Sequence, residues 1–145
     1  MNGLQRLGKN LRKRAGELDD IGNDKAIMAG IAVVRELAFR TPVDESTAVS
    51  NWRVGIDKKP TAPVVAHYVG SQGSTRFQSA EKTISEAIGI LKTKKPGQKI
   101  YISNSLSYLP ELNDGSSDQA PAGFVEASVM VAKQIVKSKA NLRKL

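Results

Sequence analysis

Leu4, Leu7, Leu11, Leu18 and Ile21 recur at steps of three, four and seven, with polar residues filling the gaps. That spacing lays them along one stripe of a helix. A second stripe follows through Ile27, Ile31, Val34, Leu37 and Ala38. Between the two, "DDIGNDKA" carries Gly22 and Asn23, which punctuate helices, and Asp24, a residue type that caps them. The pattern predicts either one long helix with a weak point or two helices meeting near Gly22. The helix must stop at about Phe39–Arg40, because Pro42 has no amide hydrogen and its ring drives Thr41 out of helical geometry. Asp44, Ser46 and Thr47 are then expected to bond nearby backbone groups, as turn residues do.

In "SNWRVGID" the period changes to two. Trp52, Val54 and Ile56 share one face of a predicted strand, with Asn51, Arg53 and Gly55 on the other. Trp52 is the chain's one tryptophan, and its place predicts a core anchor between this strand and the first helical region. "KKPTAPVV" holds two prolines and reads as a loop or edge segment. "VVAHYVGS" reads as a strand. "GSQGSTRF" is rich in Gly and Ser and is expected to be exposed and mobile until a partner orders it. Gly70, Ser71, Gln72 and Gly73 are therefore candidate interface residues.

Helical spacing returns in "SAEKTISEAIGILK", with Ala80, Ile84, Ala87, Ile88 and Leu91 as its buried face. "KTKKPGQK" is a turn, and "KIYISN" a short strand with Ile100 and Ile102 on one face. "SYLPELNDG" is a short helix or turn. Pro121 suits the first turn of a C-terminal helix, which continues through Phe124, Ser128, Val131 and Ile135 into a basic tail. The order of elements predicts one α+β domain over residues 1–145. A small antiparallel β-sheet would pack against a long N-terminal helix, a middle helix and a C-terminal helix.

Composition narrows the chemistry. Aromatics make up 5% of the 145 residues, so the core must be built mainly from Ala, Val, Ile and Leu. Cysteine is absent, which removes disulfides, thiolate metal sites and a cysteine nucleophile. No apolar run approaches the ~18 residues of a membrane span. The basic start lacks an apolar stretch behind it and does not read as a signal peptide.

The formal charge of +8 is concentrated at the two ends and in one central cluster. Arg6, Lys9, Arg12, Lys13 and Arg14 stand near the start. Lys133, Lys137, Lys139, Arg143 and Lys144 stand near the end, and Lys92, Lys94, Lys95 and Lys99 lie between. These are either solvated faces or surfaces that attract a polyanion.

Catalytic motifs are weak. His67 is the one histidine, with no Cys near it. Asp19 and Asp20 are adjacent and point to different sides of a helix. "DESTAVS" offers hydroxyls without a base or a nucleophile-elbow pattern. "VGSQGS" lacks the Lys of a phosphate-binding loop, and "NDGSSD" lacks the spacing of a calcium loop. The expectation is no enzyme, no cofactor and no metal. A DNA-binding accessory protein is the alternative for so basic a chain, although no aromatic residue is set among the basic ones as a base-stacking platform would have it.

Two segments carry a more specific signal. "RTPVDESTAVSNWRV" resembles the "TPVDTGxxxxNW" signature of a family of small bacteriophage tail-completion and neck proteins, the HK97 gp10-like group. The match falls on Thr41, Pro42, Val43, Asp44, Asn51 and Trp52. "IYISNSLSYLPELNDGSSDQAPAGFV" resembles the family's second signature, with Tyr101, Asn104, Tyr108, Leu112, Gly115, Ser117, Gln119, Ala120, Pro121 and Gly123 on the pattern. Glu45 and Ser46 stand where the family tends to have Thr-Gly, and Asn113 stands where it tends to have Glu.

The resemblance implies a non-catalytic virion protein at the head–tail junction, assembled in the cytoplasm of a bacterial host. It implies a homo-oligomeric ring of six or twelve copies around the DNA channel. The partners would be other neck and tail proteins: an adaptor or stopper, a tail terminator or the tail tube. DNA would pass the lumen, and no membrane is involved. Arg6, Lys9, Arg12, Lys13 and Arg14 are then candidate interface residues, most of them expected on the ring's outer surface or against an acidic neighbouring ring. Their helix would turn Leu4, Leu7 and Leu11 to the core or to a neighbour. Gly115 or Gly123 is expected at positive φ, in an ordered loop.

Overall fold

The computed structural model describes residues 2–115 and 122–142. The fold is α+β, as the sequence predicts. Helix α1 runs Gly3–Arg40 and is continuous through Gly22. Neither the weak point nor a cap at Asp24 breaks it. Asn2 opens it with a capping box: its side chain accepts from the Gln5 amide at 2.8 Å, and its amide donates to the Gln5 side chain at 3.1 Å. Thr41 closes it in extended geometry (φ −63°, ψ 128°), as a residue before proline must.

Helix α2 is the short turn Thr47–Ser50, followed by strand β1, Trp52–Ile56. Helix α3 spans Arg76–Leu91, strand β2 Ile100–Asn104, helix α4 Leu109–Asn113 and helix α5 Phe124–Leu142. The C-terminal helix thus starts at Phe124, after an Ala122–Gly123 turn. Pro121, expected in its first turn, lies outside the described residues. Strands β1 and β2 pair antiparallel, Trp52 opposite Asn104 and Ile56 opposite Ile100.

Two apolar clusters hold these elements. One joins Val34 and Ala38 of α1 to Val43, Val49, Val54 and the buried face of α3, which is Ala80, Ile84, Ala87 and Leu91. Gly30 lets α3 come close: a Cβ there would lie 2.9 Å from a Leu91 methyl. The other cluster joins Leu37, Trp52, Leu109 and Phe124, so Trp52 is the core anchor that its place in the strand predicts.

The expected strand over "VVAHYVGS" does not exist. Both backbone groups of Val64 bond one side chain: its amide donates to Asn51 Oδ1 and its carbonyl accepts from Asn51 Nδ2, each at 2.8 Å. The His67 amide goes to Ser50 Oγ at 3.0 Å. With the backbone groups of Val64, the His67 amide and the Tyr68 carbonyl taken by side chains, this stretch forms no ladder. Asn51 is accordingly a buried clamp rather than a strand residue.

Beyond the body, the first half of α1 stands as an arm. From Asn2 to Gly22 every residue except Gly8 is exposed. Leu4, Leu7, Leu11, Leu18 and Ile21 are between 49% and 80% exposed, so they do not reach the core of their own chain. The body begins at Asn23. Its Nδ2 donates to the Lys94 carbonyl at 3.1 Å, and the Lys94 ammonium donates back to its Oδ1 at 2.5 Å. Lys94 is buried by this exchange and is no part of a solvated basic face.

Candidate functional site

Both sequence signatures meet at one corner. Thr41 Oγ1 donates to the Leu37 carbonyl at 2.5 Å and accepts from Trp52 Nε1 at 2.8 Å. One hydroxyl therefore caps α1 and orients the indole. Asn104, opposite Trp52 in the sheet, sends its Nδ2 to the Ala48 carbonyl at 2.8 Å. The second signature is thus tied directly to the turn made by the first.

The turn forms, but the side chains of Asp44 and Ser46 bond distant groups and not the nearby backbone expected of them. Asp44 reaches across to the Gly/Ser segment. Its carboxylate accepts from the Gln72 amide at 2.6 Å, and its carbonyl accepts from the Gly73 amide at 2.9 Å. Gly73 sits at φ +74°. The segment predicted to be mobile is therefore pinned in the single chain, although Ser71 and Gln72 remain exposed. Ser46 holds a left-handed conformation (φ 65°) at the position where the resemblance has Gly. Its hydroxyl lies 2.8 Å from Thr75 Oγ1, which itself donates to the Tyr68 carbonyl. Ser46 is then the donor in that pair.

This corner opens into a cleft of about 220 Å³. Residues 42–48 form one wall, and Tyr108 and Leu112 of the second signature form the other. Burial first, and then the Glu45 carboxylate, push the Tyr108 phenol above its ordinary pKa. The phenol therefore stays neutral and able to donate. Tyr101 faces Gly55 across the sheet. On that side the chain crosses over the strands: a Cβ on Gly55 would collide with the Lys58 carbonyl, and Ser103 Oγ donates to the Pro60 carbonyl at 3.0 Å.

Gly115 and Gly123 both carry positive φ, at +95° and +80°. A Cβ on Gly115 would meet that of Ala122 at 3.2 Å, so residues 115 and 122 lie side by side. Ser117, Gln119, Ala120 and Pro121 fall outside the described residues. Asn113 joins α4 to α5. It accepts from the Val125 amide at 2.9 Å and donates to the Glu126 carboxylate at 3.0 Å. That side-chain bond is the main cause holding the Glu126 carboxyl below its usual pKa.

His67, the one histidine, stands 3.6 Å from Glu86 on a coil. Among the described residues no three metal-ligating side chains gather. None of the described helices is long and apolar enough to cross a membrane.

Arg6, Lys9, Arg12, Lys13 and Arg14 all lie on the arm, far from the cleft, and none forms an ion pair among the described residues. Sequence reasoning missed where the apolar stripe of the arm leads. Continued at the same steps, it passes Lys25 and reaches Met28, Ala32, Arg35 and Phe39. These line a groove on the body that Ile135 of α5 closes. The signal was present, because the heptad spacing simply runs on from Ile21. In sequence and in structure the chain matches no family model, no curated protein and no solved structure.

Proposed function

We propose that this chain is a structural protein of the bacteriophage head–tail junction, a neck or tail-completion protein that acts by assembly and not by catalysis. The observation that carries the assembly reading is the arm. A capped helix standing clear of the body, with five large apolar side chains in water, is the kind of exposed apolar surface that marks a contact with a partner. The neck assignment rests on the two signature segments, whose residues converge on the corner around Trp52, Thr41 and Asn104. A role in contact is supported by how the polar groups there are used. The hydroxyls of Thr41, Ser46, Ser50 and Thr75 and the carboxylate of Asp44 are all committed to backbone or to each other.

In this reading the bodies pack side by side in a closed ring, which needs one face complementary to a different face on the neighbour. The cleft between residues 42–48 and Tyr108 is a concave surface open to such a neighbour. DNA passes through the lumen, and the arm's basic residues dock outside it, because a tightly binding channel would hold the DNA back. Electron microscopy of the purified full chain tests this. Closed rings of uniform copy number are expected. Isolated particles that form only on added duplex DNA would favour a DNA-binding accessory protein.

A further inference from the structure

The arm has a pattern that names its partner. Leu4, Leu7, Leu11, Leu18 and Ile21 occupy alternate steps of three and four, with Arg14 filling the one gap. This is a heptad seam, the pattern of a two-helix coiled coil. One side of the seam carries Gly8, Ala15 and Gly22 at seven-residue intervals, and the space above Gly22 is open. Small residues there let a second helix come close. The glycines also make the arm a poor helix alone, at roughly 0.5–1 kcal/mol each relative to Ala.

The charges fix the orientation. From Arg6 to Arg14 the arm holds five basic residues and no acidic one. From Glu17 to its end it holds Glu17, Asp19 and Asp20 and no basic one, and Asp24 follows just past it. None of these nine groups forms an ion pair among the described residues. Two arms laid parallel would set basic on basic and acidic on acidic. Laid antiparallel, each basic half meets an acidic half.

We infer that the arms of two copies of this chain pair as an antiparallel coiled coil, with Leu4 beside Ile21 and Leu7 beside Leu18 of the second copy. Leu11 then meets Arg14, whose aliphatic stem fills the seam while its head reaches water. A single polar seam position of this kind sets register at some cost in stability. The overlap covers residues 3–22, about 30 Å at 1.5 Å per residue. It ends where Asn23 joins the body, so the two bodies sit at opposite ends without collision. The contact is isologous and closes at two. It does not depend on the neck reading: a ring made by the bodies could carry it as a link to a second ring, and a chain with no ring could carry it as a plain dimer.

The chain has no native cysteine, so cross-linking is clean. Leu4→Cys and Ile21→Cys chains, mixed as full-length protein and oxidised, should give mainly the mixed 4–21 disulfide. Mainly 4–4 and 21–21 disulfides would show parallel arms and overturn the inference. So would cross-linking no stronger than that of an exposed control, Lys82→Cys, the result expected if the chain's own tail covers the stripe. A charge exchange gives a second arm. Glu17→Lys/Asp19→Lys/Asp20→Lys and Arg6→Glu/Arg12→Glu/Lys13→Glu should each weaken self-association at least tenfold, and a mixture of the two should restore it. Failure of the mixture to recover would contradict antiparallel pairing, even if rings still form through the bodies.

Discussion

Trp52 Nε1 donates to the Thr41 hydroxyl at 2.8 Å, which in turn donates to the Leu37 carbonyl. The strand, the helix end and the turn between them are joined through one oxygen. Trp52→Ala is expected to cost about 3–5 kcal/mol, as large-to-small changes in a core do. Thr41→Val leaves the indole N–H buried and unpaired and should cost about 1–3 kcal/mol. Trp52→Phe removes that donor, so adding Thr41→Val to it should cost less than Thr41→Val alone. Urea unfolding of the four proteins measures the coupling; simple additivity would show that the bond contributes nothing.

Ser46 lies at φ 65° with its hydroxyl on Thr75. Ser46→Ala loses the hydrogen bond and keeps the strained backbone. Ser46→Gly loses the same bond and releases the strain. The glycine variant should therefore be the more stable by about 1 kcal/mol. Equal melting temperatures would mean that the left-handed geometry is not a source of strain.

Asp44 is the anchor of the 70–75 turn. Asp44→Ala should raise amide exchange at Gln72 and Gly73 while leaving exchange in α3 unchanged. If both amides stay as slow as before, the turn holds its shape without the carboxylate.

The Asn113–Glu126 contact makes a pH-dependent contribution. The Glu126 carboxyl titrates lower in the folded chain than in the unfolded one. Its stabilising effect is therefore full above the ordinary glutamate pKa and is lost as pH falls through the folded value. Asn113→Ala should flatten the acid side of the stability curve. An unchanged acid limb would assign that slope to other carboxylates.

The helix end at Pro42, the buried face of α3 and the two strands were legible because each is written in local pattern: a proline, a period of 3.6, a period of two. The stretch from Val64 to Val69 was not. It is apolar enough for a strand, but Asn51 and Ser50 take its backbone groups, and no period records a side chain thirteen residues back. The pinned Gly/Ser turn escaped for the same reason, since Asp44 lies twenty-eight residues away from Gln72. The stripe on the arm was visible, but its destination was not. An apolar helical face has the same spacing whether it covers its own core or a second chain.

Light scattering of the full chain, with and without duplex DNA at physiological salt, tests the assembly claim most directly. A protein that works by assembly runs at twice its 15.6 kDa chain mass or a higher multiple, and DNA leaves that mass unchanged. Leu7→Ser/Leu18→Ser should lower it while Trp52 fluorescence reports an intact body. A stable 15.6 kDa monomer that gains mass only by binding DNA, with steep salt dependence, would contradict it.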